Sequence, residues 1–175
     1  KILRNKFNSG LGFSFNKALK NAEHKWVMMI PGDNDIKSKY IIKFIKKKDD
    51  NKLIVGYMKN MKEKRSLFRT IVSNLFTLMS NFIFNKKFKY YIGIQLHNKN
   101  YLKQIKISYK NYLYQPEIFI KTINKYKILE YVDFVPNNRE YGKSKLFNFK
   151  NYFELINFFI KFFYFRFVKI ESKIL

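Results

Sequence analysis

Two aspartates one residue apart, Asp33 and Asp35, have the type and spacing for chemistry. They follow the short apolar run of residues 26–30 and the turn-forming pair Pro31-Gly32. Two carboxylates so close on a tight loop can face one cavity and bind a hard cation such as Mg²⁺ together with substrate phosphates. A cation held there would neutralise the charge of a diphosphate leaving group. A turn in which the Asp side chains bond the backbone is the alternative interpretation.

Glu117 and a basic segment are the other candidates. Glu117 lies at the start of a predicted helix, where it could act as a general base that deprotonates a nucleophile. Stabilisation of the helix dipole by a carboxylate explains the same position without chemistry. Arg139, Lys143 and Lys145 lie around a glycine, and such a loop could bind phosphate oxygens. A solvated charged loop is the alternative interpretation of this segment.

The elements that must position these groups alternate between strand and helix patterns. Short apolar runs predict strands at residues 25–30, 53–57, 90–96, 101–107 and 128–135. Apolar residues at helical spacing predict a helix that ends near residue 22 and further helices at 38–48, 66–84, 115–126 and 148–170. This alternation indicates an α/β domain with a mostly parallel sheet flanked by helices. Because ligands bind at the carboxyl ends of such strands, Asp33 and Asp35 are expected at a binding edge.

Composition narrows the class of protein. The 175 residues are 47% hydrophobic, which is enough for one domain with a core. Cysteine is absent, so disulfides and thiolate metal sites are excluded. The formal net charge of +24 favours an anionic partner, either nucleic acid or a membrane surface. The abundance of Lys, Asn, Ile, Phe and Tyr is also what AT-rich coding DNA would produce. His24 and His97 are isolated along the chain, and we interpret both as structural.

The chain divides into a predicted domain of residues 1–147 and a C-terminal segment of residues 148–175. Within the second, residues 148–170 are strongly apolar but carry a polar stripe of Lys150, Glu154, Asn157, Lys161 and Tyr164. Such a helix is too polar to span a bilayer and suits a membrane interface. A core helix that packs its apolar side on the sheet is the alternative. Residues 66–84 also predict a core or interfacial helix, because they fall short of a membrane span.

Five segments, in order along the chain, resemble motifs of family 2 glycosyltransferases of the GT-A type, as seen in dolichol-phosphate-mannose-synthase-like and related bacterial members. The first is Asn8-x-Gly10-x-Gly12-x-x-x-Asn16-x-Ala18, and the second is Ile30-Pro31-Gly32-Asp33-Asn34-Asp35, which resembles the Asp-x-Asp motif. The third is Arg65-x-x-x-Arg69-x-x-x-Ser73-x-x-Phe76, and the fourth is Pro116-Glu117-Ile118-x-x-Lys121. The fifth is Val132-x-x-x-Pro136-x-x-Arg139-x-x-Gly142-Lys143-Ser144-Lys145. The resemblance covers about residues 5–147.

The resemblance implies a Rossmann-like GT-A fold of the nucleotide-diphospho-sugar transferase kind. It also implies inverting transfer of a sugar from a nucleotide-sugar donor, with Mg²⁺ or Mn²⁺ as the cofactor. The acceptor would be a polyprenyl phosphate or another membrane or cell-envelope glycan, and nucleic acid would not be a partner. The protein would then lie in the cytoplasm, in peripheral contact with the inner face of the membrane. The strands that hold the nucleotide base in this family are expected upstream of Lys1, so the fold is expected to be incomplete at its N-terminus.

By the same resemblance, Asp33 and Asp35 would contact the metal and the nucleotide sugar. Asp33 and Glu117 would be the catalytic carboxylates, with Glu117 near the acceptor as a base. The other residues would bind phosphates: Arg139, Lys143 and Lys145 on the donor, and Arg65 and Arg69 on an anionic acceptor. Lys37 departs from the pattern, since the polyprenyl-phosphate enzymes often carry Gln or His at this position.

Two other functions remain open at this stage. A basic nucleic-acid-binding module would explain the charge and the 19% aromatic content, and its affinity would fall steeply with salt. However, the basic residues are dispersed, and no RNP-type or zinc motif is present. A catalytically inactive fragment that keeps the fold is the third possibility.

Overall fold

The structure of the chain is a computed structural model that describes residues 1–59, 67–137 and 149–167. In chain order its elements are α1 (Leu11–Asn21), β1 (Trp26–Met28), α2 (Ser38–Lys46), β2 (Lys52–Met58), α3 (Leu67–Phe84), β3 (Gln95–Asn98), α4 (Lys99–Lys103), α5 (Tyr114–Thr122), a 3-10 turn (Ile123–Lys125), β4 (Ile128–Phe134) and α6 (Phe149–Phe167). The predicted α/β class is confirmed at this level. The boundary predicted at residue 147 stays a prediction.

The four strands form a mixed sheet in the order β1-β3-β2-β4. β2 and β4 pair in parallel along their whole length, whereas β3 is antiparallel to both β1 and β2. The prediction of a mostly parallel sheet is therefore wrong for the described strands. An apolar run identifies a buried strand but carries no information on its direction. β1, β2 and β4 still point the same way, because β3 is reversed relative to both of its neighbours.

Most other elements lie where the apolar pattern places them, with two exceptions. The strand predicted at residues 101–107 is wrong, because a short helix begins there and Asn98 caps it by accepting from Asn100 N at 2.9 Å. The strand predicted at residues 90–96 is also displaced, since β3 covers Gln95–Asn98 and Gly93 has a φ of 137° just before it. Apolar side chains can be buried in a bend as well as in a strand, as Tyr91 is here.

Alternating side chains of β2 supply the core on both faces of the sheet. Leu53 and Val55 pack in a cluster with α3, α5 and α6. Ile54 points to the opposite face and packs with Phe44 of α2. The layers therefore stack helices on both sides of the sheet, which is the arrangement that buries both of its apolar faces.

The start of α1 is fixed by a close approach of two backbone segments. Gly12 N donates to Lys110 O at 2.7 Å. A Cβ at Gly12 would lie 2.2 Å from Tyr109 O, so a side chain at this position cannot be accommodated. Gly10 has a φ of 90°, and a Cβ there would lie 2.3 Å from Lys110 O. The two glycines of the first motif thus allow α1 to dock on the segment that precedes α5.

Phe44 anchors α2 and is 0% exposed. We expect Phe44→Ala to lower the free energy of unfolding by about 3–5 kcal/mol, because the substitution leaves a cavity under α2. Urea denaturation measures this change. The neighbouring Ile45 is 46% exposed, and Ile45→Ala should cost only about 0.5 kcal/mol. Equal losses in the two variants would contradict the packing described for α2.

Candidate functional site

The carboxyl ends of three strands meet at one edge of the sheet. β1, β2 and β4 run in the same direction and end at Met28, Met58 and Phe134. β3 runs the other way, so it begins at this edge with Gln95. The segments that follow β1 and β4 therefore emerge at the same side, where α/β sheets bind their ligands.

The acidic loop of residues 33–35 follows β1 at this edge. Asn34 adopts a left-handed conformation with a φ of 55°, which Asn tolerates better than most residues. Asp33 is exposed, Asp35 is half-buried, and Ile36 anchors the end of the loop in the core. Asp33 Oδ1 accepts from Asp35 N over a long 3.4 Å, which is the contact that the turn interpretation predicts. A carboxylate has two oxygens, so this contact is compatible with metal binding.

Asn137 joins the acidic loop to the segment after β4. Its backbone N donates to Asp35 O at 2.9 Å, and its side-chain Nδ2 donates to Asn34 O at 2.7 Å. These hydrogen bonds connect parts of the chain that lie about 100 residues apart, and they hold both segments at the same edge. Asn137 is also two residues before Arg139, where the basic segment begins. The acidic loop is thus adjacent to the residues that lead into the predicted phosphate-binding loop.

The cationic residues predicted from the sequence fall outside what the structure describes. Arg139, Lys143, Lys145 and Arg65 lie outside the described residues, and for Arg69 only the backbone, in α3, is described. Their roles in binding donor and acceptor phosphates stay predictions.

Glu117 is a fully buried carboxylate with a complete set of partners. It is 0% exposed and accepts from Ser108 N at 3.0 and 2.9 Å and from Tyr109 N at 3.0 Å. Lys121, one helical turn along α5, donates to Glu117 Oε1 at 2.7 Å and to Lys106 O at 2.8 Å. These contacts give Glu117 the role of holding the segment of residues 106–110 on α5. A general base must also reach the proton that it removes, and this role for Glu117 stays a prediction.

The acidic loop has suitable chemistry for a divalent cation. Carboxylate oxygens are the ligands that Mg²⁺ prefers, and Mg²⁺ is often bound by one or two carboxylates together with substrate phosphates and water. In the described ranges, no three His, Cys, Asp or Glu side chains come together as a metal site. Donor phosphates and water could supply further ligands to an ion at Asp33 and Asp35. The residues present fit the Mg²⁺ or Mn²⁺ that the resemblance implies.

Sequence reasoning interpreted His97 only as structural and did not predict its polar network. His97 Nε2 is 2.8 Å from Gln95 Oε1, and Tyr126 Oη lies 3.5 Å from His97 Nδ1. Gln95 Nε2 donates to Tyr91 O at 3.0 Å, which turns the Gln95 oxygen towards the imidazole. Burial lowers the pKa of His97 to about 3, so the ring is neutral at physiological pH. The polar composition of β3, Gln-Leu-His-Asn, was the available signal, but Tyr91 and Tyr126, which complete the network, lie outside this strand.

No model of a protein family matches this chain, and no curated protein matches it.

Glu117→Ala is expected to lower the free energy of unfolding by about 3–5 kcal/mol. The substitution removes the buried carboxylate that accepts from Lys121 and from the amides of Ser108 and Tyr109. Thermal or urea unfolding with a circular dichroism readout measures the loss. Glu23→Ala, at an exposed position, serves as the matched control and should be near neutral. A Glu117→Ala variant as stable as the control would rule out the bracing role.

Stability should also fall on acidification because of His97. The unfolded imidazole takes up a proton near pH 6.5, whereas the folded one does so only near pH 3. The unfolded state thus binds more protons between these values, and folding loses up to about 1.4 kcal/mol per pH unit as the pH falls. Denaturation at pH 7 and near pH 5.3 measures the slope before most carboxylates titrate. His97→Asn should flatten it and His24→Asn should not; a slope unchanged in His97→Asn would contradict the assignment.

Proposed function

We propose that this chain is part of an inverting, metal-dependent glycosyltransferase of the GT-A type. The enzyme would move a sugar from a nucleotide-sugar donor to a polyprenyl phosphate or another membrane or cell-envelope glycan acceptor. One observation carries the proposal: the two hydrogen bonds of Asn137 tie the acidic loop to the segment that leads to Arg139. Binding of a metal–diphosphate group requires carboxylates for the metal and cations for the phosphates, and the sequence places Arg139 two residues after Asn137.

The five ordered sequence motifs and the mixed α/β sheet add support. A Rossmann-like GT-A core is compatible with β1, β2 and β4 running in one direction and with an acidic loop at the carboxyl end of β1. Fold likeness alone does not define a function. The proposal therefore depends on the chemistry of the loop and its neighbours.

In this proposal, the donor diphosphate binds between the acidic loop and the basic loop. Asp33 and Asp35 hold the Mg²⁺ or Mn²⁺ ion, which supplies neutralisation of the leaving diphosphate. Arg139 offers forked N–H donors to phosphate oxygens, and the lysines at 143 and 145 offer point charges. Binding of the diphosphate by fixed charges favours departure of the nucleoside diphosphate, because negative charge develops there during the transfer.

An anionic acceptor makes a general base unnecessary. A phosphate monoester has lost most of its second proton at pH 7, since the second pKa of such groups is about 6. Its oxygen is therefore already a nucleophile, and Arg65 and Arg69 would bind and orient it. This chemistry agrees with the contacts of Glu117, which hold the segment of residues 106–110. We therefore propose a positioning role for Glu117 with a phosphate acceptor, and the base role only for a hydroxyl acceptor.

Asp35→Ala and Asp33→Ala should each reduce donor turnover at least about 100-fold, equivalent to about 2.7 kcal/mol of transition-state stabilisation. The assay uses the full-length protein with Mn²⁺ or Mg²⁺ and a panel of nucleotide sugars. Mn²⁺ affinity in the presence of nucleoside diphosphate, measured by electron paramagnetic resonance, should fall in parallel because both substitutions remove a ligand.

Asp49→Ala is the matched control for these variants. Asp49 Oδ1 accepts from Asn51 N at 2.8 Å, so this residue makes the same kind of turn contact as Asp33, but between α2 and β2. The control should retain turnover and metal affinity. Unchanged turnover in Asp35→Ala would refute the metal role, and equal effects in all three variants would assign the aspartates to turn formation alone.

A further inference from the structure

The helix α3 has an apolar face that is exposed to solvent. Seven large apolar side chains of this helix are between 45% and 76% exposed: Leu67, Phe68, Ile71, Leu75, Leu78, Met79 and Phe82. At about 100° per residue they fall within an arc of about 120°. The opposite side of the helix packs inward through Phe76 and Ile83. The inward side of α3 packs in the core, whereas its outer side is apolar but does not contribute to the core.

The C-terminal helix α6 packs beside α3 and has an outer apolar face of its own. The ring centroids of Phe76 and Phe159 lie 5.2 Å apart, as do those of Phe84 and Phe162. Phe158, at 0% exposure, completes the contact. Five other side chains of α6 are 47% to 69% exposed: Phe153, Ile156, Ile160, Phe163 and Tyr164. The sequence prediction left open whether this helix is a core or an interfacial helix. Its inner face packs in the core, and the interfacial alternative stays a prediction.

An exposed apolar surface of this size on two neighbouring helices indicates a partner. The charge of this surface distinguishes between two partners, a second copy of the chain and a lipid bilayer. Residues 64–116, which include all of α3, contain no Asp or Glu, and Lys86, Lys87 and Lys89 are exposed just after α3. On α6, Lys161 is exposed beside the apolar face. A second copy of so basic a surface would be repelled, whereas anionic lipid headgroups would be attracted.

The geometry favours a helix pair that lies on a bilayer. Among the described helices, none has the length and hydropathy needed to cross a membrane. An amphipathic helix with apolar residues on one side and lysines at its border can lie in the plane of the headgroups. Aromatic and Lys side chains suit this depth, because their apolar parts are buried while their polar ends reach water.

We propose that the outer faces of α3 and α6 together form a docking surface for an anionic lipid bilayer. The surface is defined by the twelve exposed apolar side chains given above. It is independent of the sugar-transfer proposal, because it requires neither donor nor metal. A docked enzyme would meet a lipid-linked acceptor in the membrane plane, but the docking itself is measured without any acceptor.

Vesicle flotation of the full chain tests this surface. The vesicles contain phosphatidylcholine alone or with phosphatidylglycerol. Flotation is measured at low salt, where attraction to anionic headgroups is strong, and at roughly 0.5 M NaCl, which screens adsorption through surface charge alone. Two double variants change the face, Leu78→Ser/Phe82→Ser on α3 and Ile160→Ser/Phe163→Ser on α6. The control Ile42→Ser/Ile45→Ser replaces exposed apolar residues of α2, on the opposite face of the sheet.

We expect wild type and control to float with anionic vesicles, and each face variant to lose at least about tenfold in partitioning. Circular dichroism and the unfolding midpoint should match wild type, because the replaced side chains are exposed. Flotation of the face variants at the wild-type level would overturn the proposal. So would equal binding to neutral and anionic vesicles at low salt. A wild-type dimer that the face variants convert to a monomer, with vesicle binding unchanged, would assign the surface to a second copy instead.

Discussion

A buried carboxylate, that of Glu117, is the interaction on which the packing around the candidate site depends. It binds two amides of the segment of residues 106–110 and the ammonium of Lys121. A carbonyl of the same segment, Lys110 O, accepts from Gly12 N at the start of α1. A charge without solvent is tolerated only when it is fully paired. Helix α5 therefore holds this segment, the segment holds α1, and α1 leads along the chain to β1 and the acidic loop.

The direction of the strands is the second constraint, because it decides which loops meet. Reversal of β3 leaves β1, β2 and β4 pointing one way, so the acidic loop and the segment after β4 emerge at one edge. Asn137 then joins them through backbone carbonyls of residues 34 and 35. These hydrogen bonds orient the loop through its backbone, and the carboxylates of Asp33 and Asp35 take no part in them. The carboxylates of this loop are of the type that a divalent cation binds.

Apolar periodicity was sufficient to predict most helices and the central strands. Residues 53–57 alternate between two apolar faces because both sides of β2 are buried. Residues 66–84 repeat at helical spacing, but most of the repeating apolar side chains are exposed on α3, and Phe76 and Ile83 are the ones buried in the core. Apolar periodicity did not predict the backbone structure of residues 90–107. There the side chains are buried in a bend and a short capped helix, and burial alone does not specify backbone geometry. The sequence did contain a signal for the short helix, because Asn98 precedes it and Asn is favoured as the N-terminal cap of a helix.

The sequence by itself determined the kinds of groups available: an acidic pair after an apolar run, a carboxylate at a helix start, and two strongly apolar helices. Those properties are local, because they follow from residue type and from the periods of helix and strand. The tertiary structure decided the direction of β3, the partners of Glu117 and the meeting of Asn137 with the acidic loop. Each of these joins residues distant in the chain, and contacts across such distances depend on how all the elements pack together.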